Sequence, residues 1–87
     1  MRKEHKIIDK LSLPKDITEN AFVLTAVGNK ELYIENYKGI LDYTDTFIRI
    51  QGKNVSILVE GKHLCITYYT DEDMMIKGDI HKLQYLV

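Results

Sequence analysis

Three histidines and one cysteine are the side chains of this 87-residue chain with the most obvious reach into chemistry: His5, His63, His81 and Cys65. A nucleophilic thiol needs a base within hydrogen-bond reach and a third group that orients the base. His63 stands two residues before Cys65, so a regular strand would project both from one face. Nothing nearby supplies the orienting group, and Cys65 reads as a partly buried structural thiol. Lys62 and Lys82 flank His63 and His81, and neighbouring cations disfavour a bound metal. Both read as solvated turn residues, and His5 as part of a basic lead-in. A single cysteine also excludes an intrachain disulfide and a thiolate cluster.

The remaining motifs carry less. Asp71-Glu72-Asp73 has the composition of a cation site but lacks the glycine and terminal glutamate of a calcium loop, so it reads as a solvated turn. Gly52-Lys53-Asn54 and Gly61-Lys62-His63 lack the earlier glycine and the following Ser or Thr of a phosphate-binding loop. Tyr33, Tyr37, Tyr43, Tyr68, Tyr69 and Tyr85 could stack on the bases of a single strand, but such platforms come with a basic groove. Packing in a core or an interface is the better use, because tyrosine supplies apolar area with a hydroxyl that can stay wet. The expectation is no catalytic, metal or cofactor site and no enzyme.

Charge and length narrow the classes further. Lys and Arg number 12 against 13 Asp and Glu, a net charge of −1, which creates no long-range attraction for nucleic acid or anionic lipid. Residues 1–12 are the exception in character: Arg2, Lys3, Lys6 and Lys10 outweigh Glu4 and Asp9 by two, leaving the chain after residue 10 at −3. They read as a basic lead-in, a short helix or a disordered segment, which Leu13-Pro14 divides from the domain. No apolar run approaches the roughly 18 residues of a membrane helix, and none has the form of a signal peptide. A cytoplasmic protein is expected. At 87 residues one hydrophobic core is all the chain can build, and a core this small favours covering by another surface.

The elements follow from alternation and punctuation. Ala21–Val27 is an apolar run too short for a stable helix and rich in strand formers. Gly28-Asn29 then suits a tight connection into the alternating Glu31–Tyr37, a hairpin signature. Further strand-like segments begin near Ile40, Phe47, Val55, Leu64, Met74 and Leu83, with Gly, Asn, Asp or other polar residues between them. Glu60-Gly61-Lys62 and His81-Lys82 are among these expected turns. The pattern predicts a single all-β domain over residues 13–87, with seven or eight short, mostly antiparallel strands curled into a roll, barrel or sandwich. A β-solenoid is the alternative, weakened by the absence of a constant turn.

Period-2 phase names a core face: Ile48, Ile50, Val55, Ile57, Val59, Leu64, Ile66, Tyr68, Met74, Ile76, Ile80, Leu83 and Tyr85. Phe47, Leu58, Cys65, Tyr69 and Met75 fall on the other parity, more apolar surface than a one-sided sheet should expose. Bulges that switch parity, a solenoid winding or an interface would each account for them. Under the last reading the candidate interface is Phe47, Leu58, Tyr69 and Met75.

The order of these segments resembles the YabP/YqfC family of small sporulation proteins, and its YqfC branch in particular. The resemblance rests on Leu13-Pro14, on Gly28 before Leu32-Tyr33-Ile34-Glu35-Asn36, and on Lys38-Gly39-Ile40-Leu41-Asp42-Tyr43. It continues through Ile48-Arg49-Ile50, the Ile57–Ile66 segment with Glu60-Gly61-Lys62, and Ile76-Lys77-Gly78-Asp79-Ile80 leading to Leu83-Gln84-Tyr85. Tyr37 stands where the family's Ile-Glu-Asn stretch is often followed by histidine. The resemblance implies a protein made in the mother cell during spore formation, cytoplasmic or peripheral to the membrane around the forespore. It further implies a membrane-embedded sporulation protein of the YqfD type as partner, and it transfers no catalytic residue. Two functions stay open: a non-enzymatic assembly or adaptor module that docks on itself or on that partner, and a regulator that binds a ligand or nucleic acid.

Overall fold

A computed structural model describes residues 21–87; the lead-in over residues 1–12 and the Leu13-Pro14 boundary lie outside the described residues. The alternating segments pair as β1 (Val23–Val27), β2 (Glu31–Glu35), β3 (Gly39–Tyr43), β4 (Phe47–Gln51), β5 (Ser56–Tyr69) and β6 (Asp73–Leu86). They form one six-stranded sheet in the order β1-β2-β6-β5-β4-β3, antiparallel at every pairing. The described residues are thus all-β, with fewer and longer strands than the turn signals predicted.

Two of those expected turns are the reason. Glu60-Gly61-Lys62 and His81-Lys82 lie inside β5 and β6, each 14 residues long. The ladder between them continues through register shifts at Glu60/Gly61, Lys62/Cys65 and Ile66/Tyr68. Each shift is a bulge that inserts an unmatched residue and bends the strand without ending it. Glycine is required at the bend: a Cβ on Gly78, whose φ is +148°, would lie 2.7 Å from the His63 carbonyl oxygen. Gly61 and Gly78 mark a close approach of two backbones, a role that in sequence looks the same as a turn.

The bend divides the sheet into two halves. In one, β4 and β3 add to the first part of β5; in the other, β2 and β1 add to the first part of β6. Ile48, Ile50, Ile57 and Val59 from the first half and Ile34, Met74 and Ile76 from the second have no exposed surface and belong to one cluster. No helix is present among the described residues, and there the sheet buries these side chains by folding onto itself, as in a two-layered roll.

Contacts at the open end hold the halves together. Asn36 N–H donates to the Glu72 carbonyl at 2.6 Å and Lys38 N–H to the Gln51 carbonyl at 2.7 Å, so the chain passes between the halves within a few residues. The Tyr37 hydroxyl donates to the Thr70 carbonyl at 2.5 Å, and the Phe22 ring fills the space over Gly52, where a Cβ would meet it at 2.3 Å.

Cross-strand rows show how wide the core is. Ile40-Ile50-Ile57-Tyr85 and Tyr43-Ile48-Val59-Leu83 run across the first half, Leu24-Ile34-Met74-Tyr69 and Ala26-Leu32-Ile76-Ile66 across the second. The two central residues of every row are buried, whereas the ends are half-buried or exposed. Tyr68 leaves the expected core face, because the bulge at Thr67 pairs it with Met75 and so turns it outward. Leu83 and Tyr85 keep the expected face, opposite Val59 and Ile57, yet at 40% and 59% exposure they are not core. Nothing among the described residues lies over that end of β6.

Candidate functional site

The residues with potential chemistry are scattered by this fold. His63 and His81 sit within β5 and β6 and not in turns, exposed at the bulged bend, with His63 at φ +57°. The shift between Lys62 and Cys65 breaks the regular alternation that would put His63 and Cys65 on one face. Cys65 is exposed and not partly buried. Among the described residues no group of three or more His, Cys, Asp and Glu is arranged to hold a metal ion; His5 lies outside them.

Asp71-Glu72-Asp73 does lie at a turn, and Thr70 organises it. The Thr70 hydroxyl accepts from the amides of Glu72 and Asp73 at 3.1 and 3.0 Å and donates to the Asp73 carboxylate at 2.6 Å. Thr44 closes the β3–β4 turn in the same way, accepting from Thr46 and Phe47 amides. Short hydroxyl side chains favour such turns because they bond locally to the backbone.

A hollow of about 300 Å³ opens at the meeting point of the halves, lined by Asn36, Tyr37, Lys38, Lys53, Asp71 and Glu72. Its charges are of both signs, two lysines against two carboxylates, so it concentrates no single kind of ion. Burial is the main cause that raises the Tyr37 phenol above its ordinary value, with negative charge at Tyr69, Asp71 and Asp73 adding to it. The phenol therefore remains a hydrogen-bond donor to Thr70 at neutral pH. At the opposite end the hydrogen bond and ion pair from Lys30 hold the exposed Asp79 carboxyl below its usual range.

The surface is more informative than the hollow. Phe47 and Leu58 both lie on the outer face of the first half, Leu58 between Arg49 and Gln84 in its row. Met75 belongs to the outer face of the second half, only 9% exposed between Tyr33 and Tyr68 of its row. Tyr69 is 65% exposed, on the inner face opposite Met74. The four residues proposed as an interface thus occupy three different surfaces. Charged pairs occupy much of the outer face: Arg49 with Asp42 at 2.5 Å, Lys77 with Glu31 at 3.7 Å and Lys82 with Glu60 at 4.0 Å.

Apolar side chains also stand exposed at the lateral edges of the inner face: Ile40 and Tyr43 on β3, Tyr69 on β5, Leu83 and Tyr85 on β6. Period-2 phase places Leu83 and Tyr85 on the core face and does not reach Ile40 and Tyr43, because it counts faces and not coverage; of the five, Tyr69 alone is expected at a surface. One of the two seams between the halves is bridged, since the Tyr43 hydroxyl accepts from the Ile66 amide at 2.9 Å. The seam between β1 and β6 is bridged beside the bend, where Ile80 N–H donates to the Asn29 carbonyl at 2.8 Å and the Asn29 amide donates back to Ile80 O. Beyond Ile80 no backbone bond reaches β6 from β1 among the described residues.

No helix among the described residues is long and apolar enough to cross a membrane. The model of the YabP family matches residues 19–87. The chain is also similar to YqfC of Bacillus subtilis (strain 168), a protein described as uncharacterized, with 28% identity over 76 residues that span 87% of this chain and 82% of the relative. No solved structure matches it. With the β domain and the family match covering the same stretch of sequence, the chain belongs to the YabP family, and that membership implies a sporulation-associated protein.

Proposed function

We propose that the protein is a non-enzymatic assembly or adaptor module that acts in the mother cell during spore formation. The observation that carries this reading is the overhang of large apolar side chains, Ile40, Tyr43, Tyr69, Leu83 and Tyr85, at the lateral edges of a core only two strands wide in each half. Apolar area left at the rim of a small core gains stability when another surface covers it. The covering surface is a second copy of this chain, a membrane-embedded sporulation protein of the YqfD type, or both in one assembly around the forespore.

Capture of the tagged protein from membranes of sporulating cells, together with light scattering of the purified chain, tests the reading. Recovery of a YqfD-type protein, or a stable oligomer, is the expected result. A chain that is monomeric at every concentration and recovers no partner would overturn it. The regulator reading draws on the six tyrosines and the basic residues Arg2, Lys3, Lys6 and Lys10 of the lead-in; it requires binding of oligonucleotide or anionic ligand that weakens as salt rises, and a flat titration at low salt removes it.

A further inference from the structure

We propose that the last stretch of β6, Lys82–Leu86, is a self-association edge that pairs antiparallel with the same stretch of a second copy about a two-fold axis at Gln84. This rests on the assembly reading above and names its surface.

Hydrogen-bond phase identifies the edge. Gly61 N–H donates to Thr46 O and Gly52 N–H to Val55 O, so with the β4–β5 register the amides of Ile57 and Val59 point to β4. Strand alternation then turns Ser56, Leu58 and Glu60 toward β6, where they face Leu86, Gln84 and Lys82. The backbone groups of Leu83 and Tyr85 consequently point off the sheet, and among the described residues no turn or loop backbone bond occupies them. An unpaired run of this kind is a template for another strand.

The other free edges are poorer templates. β3 is bulged between Ile40 and Asp42 and carries the Asp42–Arg49 ion pair. The late part of β5 has the Ile66 amide already bonded to Tyr43. β1 has five residues, and Leu24 on its inner face packs against the core. β3 also exposes Ile40 and Tyr43 on its inner face, but among these edges β6 alone sets two such side chains, Leu83 and Tyr85, on a run without a bulge.

The occupant follows from self-complementarity. A two-fold interface must match a strand with its own reverse. About Gln84 the reversal sets Leu83 against the second copy's Tyr85, Tyr85 against its Leu83, Lys82 against its Leu86, and Gln84 against its Gln84. No like charges meet, each exposed apolar side chain gains an apolar cross-strand neighbour, and the two inner faces join in one continuous surface.

The full chain with Cys65→Ser and Gln84→Cys tests the pairing. Because Leu83 and Tyr85 carry the outward groups, Gln84 meets its copy at a non-hydrogen-bonded position with Cα atoms about 4.5 Å apart, within disulfide range. Mild oxidation is expected to give a covalent dimer, whereas Cys65→Ser with Thr25→Cys, at the middle of β1, gives none. In light scattering the unmodified chain is expected to dimerise and Tyr85→Asp, an exposed position, to raise the dissociation constant at least about tenfold while the circular dichroism is unchanged. A chain that stays monomeric overturns the inference. So does an oligomer that Tyr85→Asp leaves intact or that only Thr25→Cys traps; in those two cases the assembly reading stands and the β6 edge falls.

Discussion

Gly61 lies so close to Asp79 on the neighbouring strand that a Cβ added there would stand 2.0 Å from the Asp79 carbonyl oxygen. The obstacle is backbone, so no side-chain rotation relieves it. Gly61→Ala is expected to cost at least about 2 kcal/mol by overpacking, a fall of about 8–16 °C in melting temperature for a domain of this size. Gly39→Ala, where the added atom meets nothing within 4 Å, is the comparison. Equal melting of Gly61→Ala and the unmodified chain would show that the bend does not need glycine.

Ile57 and Leu58 are neighbours in sequence and opposite in environment. Ile57 is fully buried in the inner row between Ile50 and Tyr85, and Leu58 is half-exposed between Arg49 and Gln84. Ile57→Ala should therefore cost about 2–4 kcal/mol. Leu58→Asp should cost about 1 kcal/mol or less, because the new carboxylate reaches water beside the Arg49 guanidinium. Urea titrations of the two variants check this, and a global loss of folding in Leu58→Asp would put that side chain in the core.

Tyr37 makes stability depend on alkaline pH. Its folded pKa is raised, mainly by burial, so the folded state holds the phenol proton longer than the unfolded chain does. The resulting stability is fully present below the unfolded tyrosine value of about 10 and is lost as pH rises through the folded pKa. Tyr37→Phe removes the bond to the Thr70 carbonyl and is expected to cost about 1 kcal/mol at pH 7. It should also flatten the alkaline limb of the stability curve, measured by denaturant midpoints between about pH 8 and 11.

Asp79 contributes with the opposite sign. Lys30 lowers its folded pKa, so the contribution is present above the unfolded carboxylate value of about 3.9 and disappears as pH falls through the folded pKa. Lys30→Ala should be slightly less stable than the unmodified chain at pH 6, with the difference narrowing as pH falls below about 4 and shrinking in high salt because the pair is exposed. A gap that persists at low pH would mean that Lys30 acts through something other than this carboxylate.

Much of the sheet can be read directly from residue order. The alternation of Ile48, Ile50, Ile57 and Val59, together with the Gly28 and Asn54 connections, determines an all-β fold over the described residues and most of their buried side chains. Local pattern suffices there, because side-chain period and turn chemistry are properties of neighbouring residues. Tertiary structure alone decided that Gly61 and His81 continue their strands, that Tyr68 turns outward, and that Leu83 and Tyr85 stay uncovered on the core-facing side. A glycine before a turn and a glycine under a neighbouring backbone have the same letter, and only the pairing of β5 with β6 separates them. Whether an apolar residue is covered depends on what folds over it, which in this chain is the other half of its own sheet.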